Sequence, residues 1–389
     1  MNIPLVDLKA QYSSIKDEID QAIERVIRNS HFILGPELES FEKAIASYLD
    51  VNYAIGVASG TDALYLALLA CGIGPGDEVV TTPFTFIATA ETIAKCGAKP
   101  LFVDIEPGTY TIDPERIEAL LNDRGRDISN IKAILPVHLY GHVADMEAIM
   151  NIAHKYGLKV IEDSAQSLGA LYYSRVYSNS ANKSNWQQSG TIGDAGCLSF
   201  FPSKILGAYG DGGMVVTNDE NVAEKITVLR NHGCKQKYYH LVPGFNSRLD
   251  GIQAAILKVK LKHLDEWIKL RRQKASLYSQ LLDTIEGIET PYEASFGRHC
   301  FNYYTVRLRN SEIDRNRIRD YLSNRGISTA VYYPLSLHLQ EIFRHLGYRK
   351  GDFPVSEKAQ DEVFSLPMYP ELSEQQIEQI VKEIGMGFG

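Results

Sequence analysis

Seven short runs of apolar residues punctuate the first 217 positions. They are Tyr53 to Ala58, Val79 to Thr82, Leu101 to Asp104, Ala133 to Val137, Val160 to Asp163, Cys197 to Phe201 and Met214 to Thr217. None alternates strictly with polar residues, so each reads as a strand covered on both sides, the habit of parallel sheets. Amphipathic stretches lie between them: Thr61 to Leu69, Ile87 to Lys95, Pro114 to Leu121 behind an Asp113 N-cap, Met146 to Tyr156, and Ala223 to Arg230. Strand–helix alternation of this kind predicts an α/β fold with a mostly parallel sheet flanked by helices. Ahead of it, Leu8, Tyr12, Ile15, Ile19, Ile23, Val26 and Ile27 repeat at helical spacing and predict one helix over residues 8–30. Gly35-Pro36 then starts a helix from Glu37 to Leu49. A long helix or helix pair, Arg248 to Leu282, leads into a compact α+β segment. The expected division is a large domain over 1–255 and a small C-terminal domain over 256–389. Residues 174–190 are Ser/Asn-rich and aperiodic, which predicts an exposed loop, and 231–246 reads as irregular.

Composition narrows the partners. A chain of 389 residues, 44% hydrophobic, can bury a large core. Its net charge of −8 argues against nucleic acid or an anionic membrane as partner. The opening Met1 to Asp7 lacks the charged-then-apolar pattern of a signal peptide, and no apolar run approaches a membrane span. Five scattered cysteines without metal-ligand spacing fit a reducing, cytoplasmic setting and no bound metal.

Chemistry concentrates between the sixth and seventh strands, in Ser199-Phe200-Phe201-Pro202-Ser203-Lys204 and the loop Gly210-Asp211-Gly212-Gly213. A lysine there is either a solvated loop residue or an amine with a lowered pKa, ready for carbonyl chemistry as a Schiff base. Ser59-Gly60-Thr61-Asp62 joins a strand to a helix, so it either caps that helix or cradles an anion on its free N–H groups. Asp163 ends a strand just before Ser164-Ala165-Gln166; it caps the next element or faces a cationic ring nitrogen. Phe86 follows a strand and packs in the core or stacks on a planar ligand. Ser199 is a plain sheet serine or a phosphate ligand. Asn246 and Arg248, before the long helix, are turn and surface residues or donors to an anion.

Taken together, these blocks resemble the DegT-type, fold type I pyridoxal-phosphate aminotransferases that act on nucleotide-linked keto sugars. The likeness runs end to end, from Pro4-Leu5-Val6-Asp7-Leu8 through Glu162-Asp163-Ser164-Ala165-Gln166, Ser199-Phe200 with Lys204, and Gly244-Phe245-Asn246-Ser247-Arg248, to Tyr333-Pro334-Leu335-Ser336-Leu337-His338 and Leu366-Pro367-Met368-Tyr369-Pro370. The resemblance implies a seven-stranded sheet with a smaller C-terminal α+β domain. It implies pyridoxal 5′-phosphate as cofactor, with Lys204 and Asp163 catalytic. Gly60, Thr61, Phe86, Gln166 and Ser199 would bind the cofactor, as would Asn246 from the second subunit of a homodimer with shared sites. Arg248, Tyr333 and His338 would face the substrate. Lysine at 204 matches the aminotransferases and not the relatives with histidine there, which resemble sugar dehydratases. Gly-Asp-Gly-Gly leans towards amination at C3 over C4 of the sugar, with L-glutamate as donor, for surface polysaccharide or related amino sugars. The diphosphate of such a substrate needs local positive charge, which leads us to expect Arg230, Lys235, Lys237 and Arg248 at the mouth of the site. The alternative is a non-catalytic relative with a binding or regulatory role.

Overall fold

The computed structural model describes residues 2–174, 185–309 and 314–388. The N-terminal segment folds as two helices, α1 (Leu8–Ser14) and α2 (Lys16–Asn29), where the spacing predicts one. The break falls at Ile15, and Asp7 starts α1 by accepting the Ala10 N–H at 2.9 Å. α3 (Pro36–Leu49) begins on its proline, whose missing N–H is no loss in a first turn.

Seven strands form the central sheet: β1 (Tyr53–Val57), β2 (Glu78–Thr81), β3 (Lys99–Phe102), β4 (Ile131–Ile134), β5 (Lys159–Asp163), β6 (Ala195–Ser199) and β7 (Gly213–Thr217). Their order is β1-β7-β6-β5-β4-β2-β3, with only β7 running against the rest. Successive strand residues feed opposite faces. Val79, Ala133, Ile161, Cys197 and Val215 join one core with α4 (Gly60–Ala70), α5 (Ile87–Lys95) and, beyond α6 (Pro114–Leu121) and α7 (Met146–Tyr156), α8 (Glu220–Leu229). Val80, Ile134, Val160, Leu198 and Met214 join the other with α3 and α7. α4 is buried on nearly every side, which its run of Ala and Leu allows, and its N-terminus emerges beside the carboxyl ends of the strands.

The segment from 248 to 282 is a helix pair, α9 (Gly251–Leu261) and α10 (Leu264–Leu282). The 255/256 division falls within α9, whose Ala254 and Leu257 belong to the large core. Residues Ala275, Tyr278 and Leu282 of α10 belong instead to the C-terminal core. That core is an antiparallel sheet, β8 (Ile288–Glu289), β9 (Tyr304–Leu308) and β10 (Val363–Leu366), joined by residues of α11 (Arg315–Asn324) and, after α12 (Pro354–Glu362), of α13 (Glu374–Phe388). Arg271 of α10 is buried and donates to the carbonyls of Phe301 at 3.1 Å and Met368 at 2.9 Å; burial pushes its pKa down to about 10.

Of the polar stretch 174–190, residues 175–184 lie outside the described residues. At its far end Trp186–Gln188 pairs antiparallel with Leu171–Tyr173, which pairs on its other edge with Gly297–Arg298. Within 231–246, Cys234–Gln236 and Tyr239–His240 form a short hairpin. No helix among the described residues is long and apolar enough to cross a membrane.

Candidate active site

A cavity of about 320 Å³ opens at the carboxyl ends of the strands. Gly60, Thr61, Phe86, Asp163, Gln166, Ser199, Lys204 and Tyr333 all line it. The sheet collects the seven from Gly60 to Lys204 because β1, β2, β5 and β6 all point the same way, and Tyr333 joins them from the C-terminal part of the chain.

Lys204 follows a turn after β6, with its N–H on the Phe201 carbonyl at 2.8 Å. Burial pushes its pKa down to about 8, against the pull of the Asp163 carboxylate. Its Nζ lies 5.9 Å from the centre of the Tyr303 ring. An amine whose pKa lies this close to neutrality keeps a reactive unprotonated fraction at physiological pH and can take up or release a proton there.

Asp163 ends β5, buried, and burial raises its pKa. Two donors oppose that rise: the Thr89 hydroxyl to Oδ2 at 2.8 Å and the Ala165 N–H to Oδ1 at 3.2 Å. Thr85 in turn donates to the Thr89 oxygen at 3.0 Å. Gln166 accepts the Tyr140 N–H at 2.8 Å and donates to the Tyr333 hydroxyl at 3.0 Å, which fixes the orientation of its amide. Phe86 is half-exposed, its ring 6.0 Å from that of Tyr333.

At the opposite end, Ser59 caps α4 by accepting the Asp62 N–H at 3.0 Å. The first-turn N–H groups of Gly60 and Thr61 then have no intrahelical acceptor and carry the positive end of the helix dipole. A Cβ on Gly60 would sit 2.7 Å from the Ser199 Cβ, and one on Gly213 would sit 2.2 Å from the Ser59 carbonyl. Glycine at both positions lets β6, β7 and the start of α4 close around the Ser199 hydroxyl. This is an anion cradle with N–H and O–H donors on adjacent walls.

Other residues bear on the cavity without a sequence signal of their own. Tyr303 and Tyr332 supply walls from remote segments and stack on each other at 4.2 Å. Behind Asp163, Glu162 faces the other way along β5 and is wholly buried. It accepts N–H groups of Gly190, Ile192 and Gly193 at 2.8, 2.7 and 2.6 Å. Its fourth donor is His138 Nε2 at 2.8 Å, a tautomer set by the Ala144 N–H on Nδ1. Period-two alternation next to Asp163 was the signal that could have found Glu162.

The structure does not bring every expected residue to the cavity. Asn246 bridges to Asn231, and Arg248 donates to the Asn231 side chain at 3.3 Å; neither lines the cavity in this protomer. His338 is buried elsewhere, its Nε2 on Glu357 at 3.0 Å and its ring against Phe353. The cationic mouth expected from Arg230, Lys235, Lys237 and Arg248 is not formed within the protomer: none of the four lines the cavity. Arg230 is buried on Glu42 and the Gly56 carbonyl, so its charge is already neutralised. Lys235 pairs with Glu224, and Lys237 sits over the exposed Tyr238 ring. Arg230 and Lys235 instead line a separate, more open cleft of about 810 Å³ that holds none of the chemistry.

The donor set fits a phosphorylated pyridine aldehyde. The α4 cradle suits its phosphate, Phe86 its ring face, Asp163 its ring nitrogen and Lys204 its aldehyde. Comparison with known proteins points the same way. The model of the DegT/DnrJ/EryC1/StrS aminotransferase family matches residues 13–385. A Geobacillus stearothermophilus protein named pleiotropic regulatory protein is 49% identical over 386 residues, covering 99% of this chain and 98% of its own. UDP-2-acetamido-2-deoxy-3-oxo-D-glucuronate aminotransferase of Pseudomonas aeruginosa is 44% identical, with 95% and 96% covered. UDP-N-acetyl-3-dehydro-alpha-D-glucosamine 3-aminotransferase of Acidithiobacillus ferrooxidans is also 44% identical, with 98% and 97% covered. Among solved structures, S. venezuelae DesV in complex with a ketimine intermediate superposes with a TM-score of 0.91 at 38% identity, over 99% of this chain and 98% of that one. NtdA of Bacillus subtilis with bound cofactor PMP gives 0.84 at 31% identity, over 98% and 83%.

Proposed function

The chain belongs to the DegT/DnrJ/EryC1/StrS aminotransferase family, and from that premise we propose that it transfers an amino group from an amino acid to a keto group of a nucleotide-linked sugar. The single observation that carries this is Lys204 with a lowered pKa in one cavity with the buried Asp163. The cofactor is pyridoxal phosphate, a fold type I aminotransferase's usual partner. When bound it supplies an aldehyde that joins amines and a ring that draws electrons from the neighbouring carbon.

The residues divide that work. Asp163, whose carboxylate form Thr89 and the Ala165 N–H favour against the effect of burial, would face the ring nitrogen and hold it protonated. Gly60, Thr61 and Ser199 would anchor the phosphate, and Phe86 and Gln166 would fix the ring plane. Lys204 Nζ would hold the cofactor at rest and carry a proton once displaced; a pKa of about 8 lets it both accept and release one near neutrality. Tyr333, held by Gln166, lines the same cavity and would face the substrate.

The substrate is a nucleotide diphosphate hexose aminated at C3 rather than C4, with L-glutamate as donor, for surface polysaccharide or related amino sugars. Two relatives named for 3-keto UDP-sugars support the C3 choice. The working unit is a cytoplasmic homodimer in which Asn246 and Arg248 of the second subunit complete the site. Exposed Tyr238, Tyr239, Leu241 and Val242, on and beside the short hairpin, support such a contact. Incubating the enzyme with UDP- and dTDP-linked 3-keto and 4-keto sugars plus L-glutamate tests this. Keto-acid release well beyond one equivalent per active site with a 3-keto sugar, and none with K204A, is the expected outcome; such multiple turnover without any nucleotide sugar would refute it.

The name of the Geobacillus relative favours a second reading, a regulatory protein on the same fold. Visible absorbance abolished by borohydride marks a lysine-linked cofactor; a colourless protein that binds nucleotide sugar would turn the case towards regulation.

A further inference from the structure

α9 presents Gln253 and Lys260, two helical turns apart, to the back of the loop that carries Lys204. Gln253 Oε1 accepts the Tyr209 N–H at 2.8 Å, and Lys260 Nζ donates to the Gly207 carbonyl at 2.7 Å. Lys260 is fully buried, its Nζ 4.2 Å from the centre of the Tyr209 ring. Burial pushes its pKa down to about 8, so an apolar side chain would sit there at less cost. The loop's own ties, Phe200 N–H to Gly212 and Ala208 N–H to Phe200, both at 2.8 Å, close its ends but leave the Gly207 carbonyl and the Tyr209 N–H to α9. α9 is itself a firm anchor: Ala255, Ile256 and Val259 interlock with Ile19, Ala22 and Val26 of α2.

We propose that Gln253 and Lys260 are positioning residues, a two-point clamp through which α9 sets the place of Lys204 Nζ in the cavity. The proposal rests on the reading of Lys204 as the reacting lysine. An amine that must meet an aldehyde and later a carbon-bound proton tolerates little misplacement, since about 1 Å can cost roughly a hundredfold in rate. A glycine-dense loop, with few side chains of its own to pack, does not supply that accuracy by itself, and a helix behind it does.

The test uses full-length holoenzyme in single turnover with L-glutamate, followed as loss of visible absorbance, and amide exchange of residues 203–211 in the cofactor-free protein. In Gln253→Leu and Lys260→Met the maximal rate is expected to fall about 10- to 100-fold. The half-saturating glutamate concentration should move less than about threefold, and the loop amides should exchange faster. Gln253→Glu keeps an acceptor for the Tyr209 N–H and should stay within about threefold of the parent rate. An unchanged rate with native exchange in Gln253→Leu overturns the clamp, as does an equal loss in the Glu and Leu variants. If Lys260→Met fails to fold, the Gln253 pair decides alone. K204A that still turns over would refute the role of Lys204; the exchange measurement then judges the clamp independently.

Discussion

Lys204 pays for its reactivity in the cofactor-free protein, and the amount follows from its surroundings. Its pKa falls from an ordinary 10.5 to about 8 because burial disfavours the ammonium more than Asp163 favours it. Each pKa unit corresponds to about 1.4 kcal/mol, so below pH 8 the charged side chain costs the fold about 3 kcal/mol. The sign is fixed by proton counting. Between about pH 8 and 10.5 the unfolded chain holds a proton on this amine that the folded chain has released, so stability rises with pH across that window. Below it the penalty is complete; above it the penalty is gone. Replacing Lys204 by methionine, similar in length and uncharged, removes the penalty at every pH. Cofactor-free K204M should therefore be more stable than cofactor-free parent by about 3 kcal/mol at pH 7. That gap should close by pH 10.5. Urea unfolding of both proteins at matched pH measures it, and comparing the two cancels the titrating groups that Lys204 does not touch, Lys260 included; making the comparison in an Asp163→Asn background removes the interacting carboxylate. A parent as stable as K204M at pH 7, or a gap that persists at high pH, would refute the reasoning and with it the idea that the amine is destabilised in place.

Three further outcomes are expected. Asp163→Asn keeps the shape of the site but not its charge, and turnover should drop at least about 100-fold, measured as keto-acid formation, with the fold retained by circular dichroism. Thr89→Val removes the hydroxyl that helps hold Asp163 ionised; the Asp163 pKa should rise further, so the acid limb of the pH–rate profile should move to higher pH. Gly60→Ala puts a methyl 2.7 Å from the Ser199 Cβ, and spectrophotometric titration should show pyridoxal phosphate bound at least about tenfold more weakly.

The sheet was legible because both of its faces are covered, which leaves long apolar runs in the sequence. Its edges were less so: the run at Val79 to Thr82 becomes β2 at Glu78–Thr81, because the ladder to β3 pairs Glu78 with Lys99. The break at Ile15 was invisible, since Leu8 to Ile27 keeps helical spacing straight through it. Asp163 and Lys204 stood out as candidates because each follows a strand, while position alone left a capping and a solvated-loop reading open until the family resemblance was added. Thr89 and Lys260 could not be picked out this way, because each acts through a partner at least 50 positions away, and Tyr303 and Tyr332 reach the cavity from segments remote from Lys204. The cationic mouth failed for a related reason. A charge is read from sequence without its counter-ion, and Glu42 lies 188 residues from Arg230.

Arg271 shows where such distance leads. Its guanidinium grips the backbone at Phe301, two residues before Tyr303, one of the walls around Lys204. The chemistry is thus bolted from behind, by a cation that no substrate ever meets. A change at this bolt would surface as a catalytic defect with every reacting group still in the sequence, and a survey confined to the residues around the cavity would look for its origin in the wrong half of the molecule.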